Sequence, residues 1–301
     1  HLFALAVLGG FAMAGALHFQ WKRIIPVTAL TVGLVAAAVI GARGYFSLAV
    51  QNAYDKDKII GQMQPLFATG PAKLDKSAAP PLPKDSSQSG LKRIRARGVI
   101  RVGYLEDNRP ATFLNGKGEL VGLDVEMAHI LARALGVGLE FVAVDRSKMF
   151  QQLNEGYFDI VMSGMVVTPE RAEAASLSTP YMELTLALVV QDYRRSEFSS
   201  REARQKLQAP KLAILDVPYF ISFVREHLPK AQLVMVNSAA EFFQSKGKTV
   251  DGFVYSAEGG SAWSLLYPEY AVVVAQPPIA LPVSYAMARG DRELVDYVNA
   301  L

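Results

Sequence analysis

A wound α/β sheet in two lobes, carried behind apolar N-terminal helices, is the architecture that these 301 residues predict. Three observations predict it. Two charge-free apolar stretches stand side by side at the start, a proline-rich segment follows, and from residue 91 short β-runs alternate with amphipathic helical runs. The alternation argues for a largely parallel sheet. Its recurrence in a second unit argues for two lobes, with a crevice where strand ends converge.

Residues 2–19 and 24–42 are 18 and 19 residues without a formal charge, separated by Gln20, Trp21, Lys22 and Arg23. At about 1.5 Å rise per residue, each just crosses a hydrocarbon core of about 30 Å. A signal peptide has one apolar core preceded by basic residues, so a two-helix transmembrane hairpin is expected over residues 1–50. Small residues recur every four positions at Ala6, Gly10 and Ala14 and at Gly33, Ala37 and Gly41. That spacing permits close helix contact, although Ala/Gly-rich spans also produce it by chance. Lys22 and Arg23 in the turn favour the cytoplasmic side, which places the remainder of the chain outside. Arg43 is a single charge against two and can snorkel.

Residues 51–64 read as polar and interfacial. Pro65, Pro71, Pro80, Pro81 and Pro83 then stand among Lys, Asp and Ser, a composition that stays extended and cannot bury a core. Residues 51–90 are therefore expected to form an interfacial segment and linker. The chain opens on His1 inside an apolar run and is expected to be a piece of a longer polypeptide.

In the α/β region, residues 99–103 (VIRVG) make the first strand. Gly122, Leu123 and Asp124 open a helix with Asp124 as N-cap, Val125, Ala128, Ala132 and Leu135 on one face, and Gly136 as stop. A strand at 139–144, a helix at 147–155 closed by Gly156, and a strand at 159–162 complete the first unit. In the second, strands are expected at 211–215, 232–236 and 250–255, with helices at 219–227 and 239–244.

Composition narrows the chemistry. Lys22, Arg23 and Arg43 account for the whole net charge of +3, and the rest of the chain balances 28 basic against 28 acidic residues. A nucleic-acid partner is excluded, because phosphate binding needs a basic surplus. Zero Cys removes disulfides, zinc ribbons and thiol nucleophiles. His1, His18, His129 and His227 have no ligand spacing, so neither a metal site nor a cofactor is expected.

Four blocks in order, 91–104 (LKRIRARGVIRVGY), 118–136 (GELVGLDVEMAHILARALG), 154–171 (NEGYFDIVMSGMVVTPER) and 178–181 (STPY), resemble the family-3 extracellular solute-binding proteins. That resemblance implies a two-lobed domain of the type 2 periplasmic-binding-protein fold over residues 91–301, here preceded by the transmembrane hairpin. Lobe 1 would comprise about 91–190 and 284–301 and lobe 2 about 191–283, with crossovers near 186–191 and 283–288. Residues 289–301 look like a lobe 1 helix, and family members usually continue for another helix, so the chain is expected to extend past Leu301.

The centre of the reading is Thr168, Pro169, Glu170 and Arg171. Thr suits an N-cap and Pro the first helical position, which puts Arg171 in the first turn. Free N–H groups there favour an anion, and a guanidinium adds a bidentate fork that matches a carboxylate. The tetrapeptide alone also fits a solvated Arg at a helix start; in the family the equivalent Arg grips a ligand carboxylate, flanked here by Gly164 and the 178–181 block.

Four departures from the family pattern bear on the solute. Val166 stands where amino-acid binders have Ser or Thr, leaving only its backbone to donate. Arg146 replaces a stacking aromatic, and reads either as a second cation in the crevice or as an exposed helix-start residue. Asp216, Val217, Pro218 and Tyr219 replace the Gly-Ser/Thr turn of lobe 2. Ser256 replaces the acid that pairs with a ligand ammonium, and a buried ammonium without its counter-charge is costly. These changes argue against an ordinary α-amino acid unless Asp216 or Glu258 substitutes, and Arg171 with Arg146 suits a solute with two carboxylates. Tyr104, at the end of the first strand, completes the candidate ligand-binding set. Tyr255 and Trp263 read as either lobe 2 lining or core.

The expected function is a membrane-tethered extracytoplasmic solute-binding domain of a transporter, closing over a small anionic solute. It would sit in the inner membrane with the domain on the periplasmic side, partnered by a transporter membrane domain in the same chain or complex. Fused members of the cation:dicarboxylate symporter family have that organisation. No enzymatic activity is expected. Alternatives are a ligand-sensing domain of a transmembrane receptor, and a dehydratase or lyase on the same scaffold with Glu258 or Asp216 as acid/base.

Overall fold

The computed structural model describes residues 21–49, 54–66, 70–76, 80–83, 88–244, 247 and 249–301. It divides into two units, His1–Tyr54 and Asp55–Leu301. The first contributes the helix Trp21–Ala49, within which Ile25–Tyr45 spans 21 residues at a mean hydropathy of 2.1. That helix is long and apolar enough to cross a bilayer. The other expected span, and with it the hairpin, lies outside the described residues.

In the second unit one continuous sheet path runs through both lobes. On the lobe 1 side Ala72–Asp75, Gly138–Ala143, Val99–Tyr104 and Ile160–Val166 lie parallel in that order. Ala280–Met287 pairs antiparallel with Ile160–Val166 and with Met182–Gln191. Met182–Gln191 then pairs antiparallel with Gly252–Ser256, beyond which Lys211–Ile214 and Gln232–Met235 continue parallel. The two crossovers start earlier than expected and run side by side, with Ala280 opposite Thr185 and Val283 opposite Met182.

Each side of the sheet has its own core. Ile100, Val102 and Tyr104 share one face of their strand, as the period-2 geometry of a strand requires, and pack under Val125, Ala128 and Leu131 of the helix Leu123–Leu135. Lobe 2 is built on aromatics: Phe253 stacks on Phe242 and on Tyr255, and Phe243 stacks on Trp263 at 5.0 Å. The strand expected at 159–162 runs on to Val166, because Met165 and Val166 pair with Ser284 and Val283.

The expected linker is partly structured. Ala72–Asp75 adds to the sheet edge beside Gly138–Ala143, Lys73 pairs with Glu140 at 2.6 Å, and Leu74 packs against the lobe 1 core. Edge pairing needs backbone hydrogen bonds rather than a core's worth of apolar residues, so composition does not reveal it. The polar segment before it also docks: the helix Asp57–Gly61 buries Ile60 against Phe113, Val121 and Ala262. Met63 O accepts from Asn115 Nδ2 at 3.0 Å.

Two glycines place the loop that follows the first lobe 1 strand. Gly122 has φ +128°, and a Cβ there would lie 2.3 Å from the Ala111 carbonyl. Gly164 has φ +56°, with Ala111 Cβ 3.0 Å from where its own Cβ would be. At Gly122 only glycine tolerates both the backbone angle and the approach, so the Pro110 and Ala111 carbonyls pack directly against the start of the helix Leu123–Leu135.

Candidate functional site

The lobes meet over an inner cavity lined by residues of both. Contacts close across it: the Tyr255 hydroxyl donates to Asn108 Oδ1 at 3.1 Å, and the Arg109 guanidinium lies over the Trp263 ring, 4.2 Å from its centroid. Lobe 1 contributes all the cations that line it, Arg109, Arg146 and Arg171. Lobe 2 contributes a mainly apolar wall, Leu215, Val217, Phe220 and Tyr255. Among the described residues no Asp or Glu lines this inner cavity.

Arg171 stands where the sequence motif puts it. Thr168 caps the helix Pro169–Ala174 by accepting from Arg171 N at 3.3 Å, and Pro169 occupies the first turn. The guanidinium donates from Nη1 to the Val166 carbonyl at 2.7 Å. Burial pulls its pKa down to about 10, and the Arg146 cation adds to the pull. Two like charges held near each other in a partly dry cavity favour an incoming anion.

Gly164 and Val166 also line the cavity, but as backbone. The Gly164 amide donates to Asp124 Oδ2 at 2.6 Å, and Val166 positions Arg171 through its carbonyl. Arg146 is half-buried and lines both this cavity and an outer, acid-rich pocket with Glu106, Asp107, Asp145 and Asp216.

The other expected site residues divide. Ser256 lines the cavity, yet its Oγ accepts from Gly259 N at 3.0 Å as the cap of the helix Ala257–Ser264. Glu258 stands off the lining, with its carboxylate accepting the Thr185 amide at 3.0 and 3.2 Å, which ties lobe 2 to a crossover strand. Asp216 faces the outer pocket, and Tyr219 is 39% exposed while its neighbour Phe220 lines the cavity. Tyr104 is a correction. It is fully buried in the lobe 1 core, edge-on to Phe141, because it continues the face of Ile100 and Val102.

Asp124 is not an N-cap. Gly122 takes the cap position, and the buried Asp124 carboxylate accepts from Gly164 N, from Tyr181 Oη at 2.9 Å and from Tyr285 Oη at 3.3 Å. Tyr181 and Tyr285 stack at 4.3 Å beside the crossovers, so one carboxylate joins the helix start, the Gly164 turn and the hinge. Burial raises its pKa from 3.8 to about 6 despite those donors. The folded state therefore binds the proton more tightly than the unfolded chain, and the group's contribution to stability is fully present below about pH 4 and falls as pH rises through 6. Asp124→Asn is expected to remove that slope. In paired denaturation series, the wild-type-minus-variant difference should change by about 3 kcal/mol between pH 4 and pH 7; a flat difference curve contradicts the assignment.

Asn108 and Arg109 carry the cross-lobe contacts, and the sequence reading missed both. They lie a few residues past the buried strand Val99–Tyr104, Asn108 in the short strand Asp107–Asn108, near the strand-end crevice where α/β proteins bind ligands; that position was the available signal.

The family model for bacterial extracellular solute-binding proteins, family 3, matches residues 100–301. The chain is 27% identical over 220 residues to cyclohexadienyl dehydratase of Pseudomonas aeruginosa, covering 71% of this chain and 80% of that one. It is 31% identical over 137 residues to membrane-bound lytic murein transglycosylase F of Vibrio cholerae, 45% of this chain and 25% of that protein. A crystal structure of the ancestral amino acid-binding protein AncCDT-1, a precursor of cyclohexadienyl dehydratase, superposes at a TM-score of 0.64 with 32% identity, over 70% of this chain and 91% of that one. Arginine-bound ArgBP from T. maritima shares the fold at a TM-score of 0.62 and 23% identity, over 70% and 97% of the two chains. The expectation that the chain has no enzymatic activity is corrected by this comparison, because a dehydratase and a murein transglycosylase are among its relatives. The chain belongs to the bacterial extracellular solute-binding proteins of family 3.

Proposed function

We propose that the protein captures a small carboxylate solute by lobe closure, and that it does so as the membrane-tethered, extracytoplasmic part of a transport system. The observation that carries the reading is the inner cavity itself: three arginines from lobe 1, an apolar wall from lobe 2, and no acidic side chain among the described residues that line it. A carboxylate meets Arg171 and Arg146, its carbon body packs on Val217 and Phe220, and closure removes both from water. An α-ammonium finds no counter-charge there, so a dicarboxylate or other amine-free acid fits better than an ordinary amino acid. The amino-acid-binding relatives support the capture function, and the apolar helix Ile25–Tyr45 supports the tether. A transporter membrane domain, of the cation:dicarboxylate symporter kind or of an ATP-driven importer, is the partner proposed.

The test is a melting-temperature screen of the full chain in detergent against dicarboxylates, monocarboxylates and amino acids. A ligand at about 100 times its Kd adds about 2.7 kcal/mol, so a dicarboxylate is expected to raise the transition by several degrees. No shift with any carboxylate overturns the reading.

The dehydratase relative favours a second reading, dehydration of a cyclohexadienyl carboxylate held on the same arginines. The protonated ring hydroxyl leaves as water, and a ring C–H or C–carboxylate bond breaks, releasing a proton or carbon dioxide and giving its electron pair to the aromatic ring. Glu258 would be the acid, and to protonate the leaving hydroxyl it would have to leave the Thr185 amide and turn into the cavity. Appearance of an aromatic product by absorbance, lost in Glu258→Gln, would establish it.

A further inference from the structure

We propose that Arg109 is a specificity-determining residue: with Arg146 it forms a second anion subsite around the Tyr255 hydroxyl, selecting solutes with two anionic groups over those with one. The inference rests on the carboxylate reading above and adds a residue and a discrimination to it.

Arg109 lies against two aromatic rings. Its guanidinium lies over Trp263 of lobe 2 at 4.2 Å and over Phe113 of lobe 1 at 5.1 Å. Stacking occupies the faces of a planar guanidinium and leaves its in-plane N–H groups as the donors. One of these, Nε, is buried without a hydrogen-bond partner, and the residue lines the cavity. A buried donor without a partner is costly, and a ligand oxygen relieves that cost.

The surrounding charges point the same way. Arg146, Asp107 and Arg109 all act on the Tyr255 hydroxyl, two cations against one acid. Of the nearby acids, Asp107 is the one that acts on Arg109; it faces the outer pocket and accepts from Ala240 N at 3.4 Å. The inner cavity itself is lined by Arg109, Arg146 and Arg171 and, among the described residues, by no acid, which favours a solute with two anionic groups. One carboxylate sits on Arg171 and the other between Arg146 and Arg109. Because the Trp263 contact crosses the lobes, the subsite is complete only when they close. A solute that reaches it favours the closed form.

Calorimetric titration of the full chain with dicarboxylates of four to six carbons and with monocarboxylates of matching length tests this. Wild type is expected to prefer the dicarboxylate. Arg109→Met, which keeps an apolar stem over Trp263, and Arg109→Lys, which keeps the charge without the planar fork, should each weaken dicarboxylate binding about 10-fold or more. Both should change monocarboxylate binding by less than about 2-fold. Equal losses for both ligand classes would show that Arg109 only supports closure, and no change for either would show that it plays no part; both outcomes overturn the proposal while leaving the Arg171 reading intact. An Arg171→Ala variant run in parallel separates the two. If it too leaves binding unchanged, or if wild type binds neither class, the carboxylate reading falls and this inference with it.

Discussion

Arg171→Ala is expected to weaken carboxylate binding by about 100-fold or more, equivalent to about 3 kcal/mol for a charged pair removed from a closed cavity. Titration calorimetry on the full chain measures it. Arg171→Lys should fall between wild type and Ala, because a point charge replaces a bidentate fork. The stability of the unliganded protein should move the opposite way. Arg171 forms no salt bridge among the described residues, its pKa is pulled down to about 10, and Arg146 repels it. Removing the cation takes away a partly buried charge that, among the described residues, has no salt-bridge partner until solute arrives. The variant should therefore melt at the same temperature as wild type or higher, the exchange of stability for function expected of a binding site. A variant that loses binding together with several degrees of melting temperature would instead make Arg171 part of the fold.

Phe253→Ala is expected to produce the largest loss of stability. The ring is fully buried, stacks on Phe242 at 4.7 Å and on Tyr255 at 4.9 Å, and meets Phe243 edge-on at 6.5 Å. Deleting such a ring costs about 3–5 kcal/mol, because lost burial adds to a cavity the neighbours cannot fill. Tyr255 rests on the same ring and reaches Asn108 across the lobes, so the damage should spread from the lobe 2 core to closure. Denaturant unfolding reads the first effect and ligand affinity the second. Phe253→Leu, which keeps most of the volume, should recover most of both. A cost below about 1 kcal/mol for the Ala variant would mean that this aromatic cluster does not organise lobe 2.

The parts of this protein legible in its sequence are those set by local pattern. Alternating apolar runs place the lobe 1 and lobe 2 strands within a few residues, and a Thr-Pro start places Arg171 in its turn. What escaped depends on tertiary pairing. Ala72–Asp75 looks like linker because edge-strand addition leaves no hydrophobic signature. Asp124 resembles a cap because its position in sequence is two residues from the true cap, whereas its role comes from Gly164, Tyr181 and Tyr285, which are 40 to 161 residues distant. Arg109 sits in an aperiodic loop, and its partner Trp263 lies in the other lobe. Tyr104 obeys local pattern: counting by two from Ile100 assigns it to the core.

The account depends on an inner cavity that wants negative charge. The most direct measurement is titration calorimetry of the full chain with one aliphatic dicarboxylate and with its diamide, a neutral molecule of the same shape. Saturable binding of the dicarboxylate, none of the diamide, and loss of the former in Arg171→Ala is the predicted result. Equal affinity for the two, or binding that survives Arg171→Ala, would contradict it.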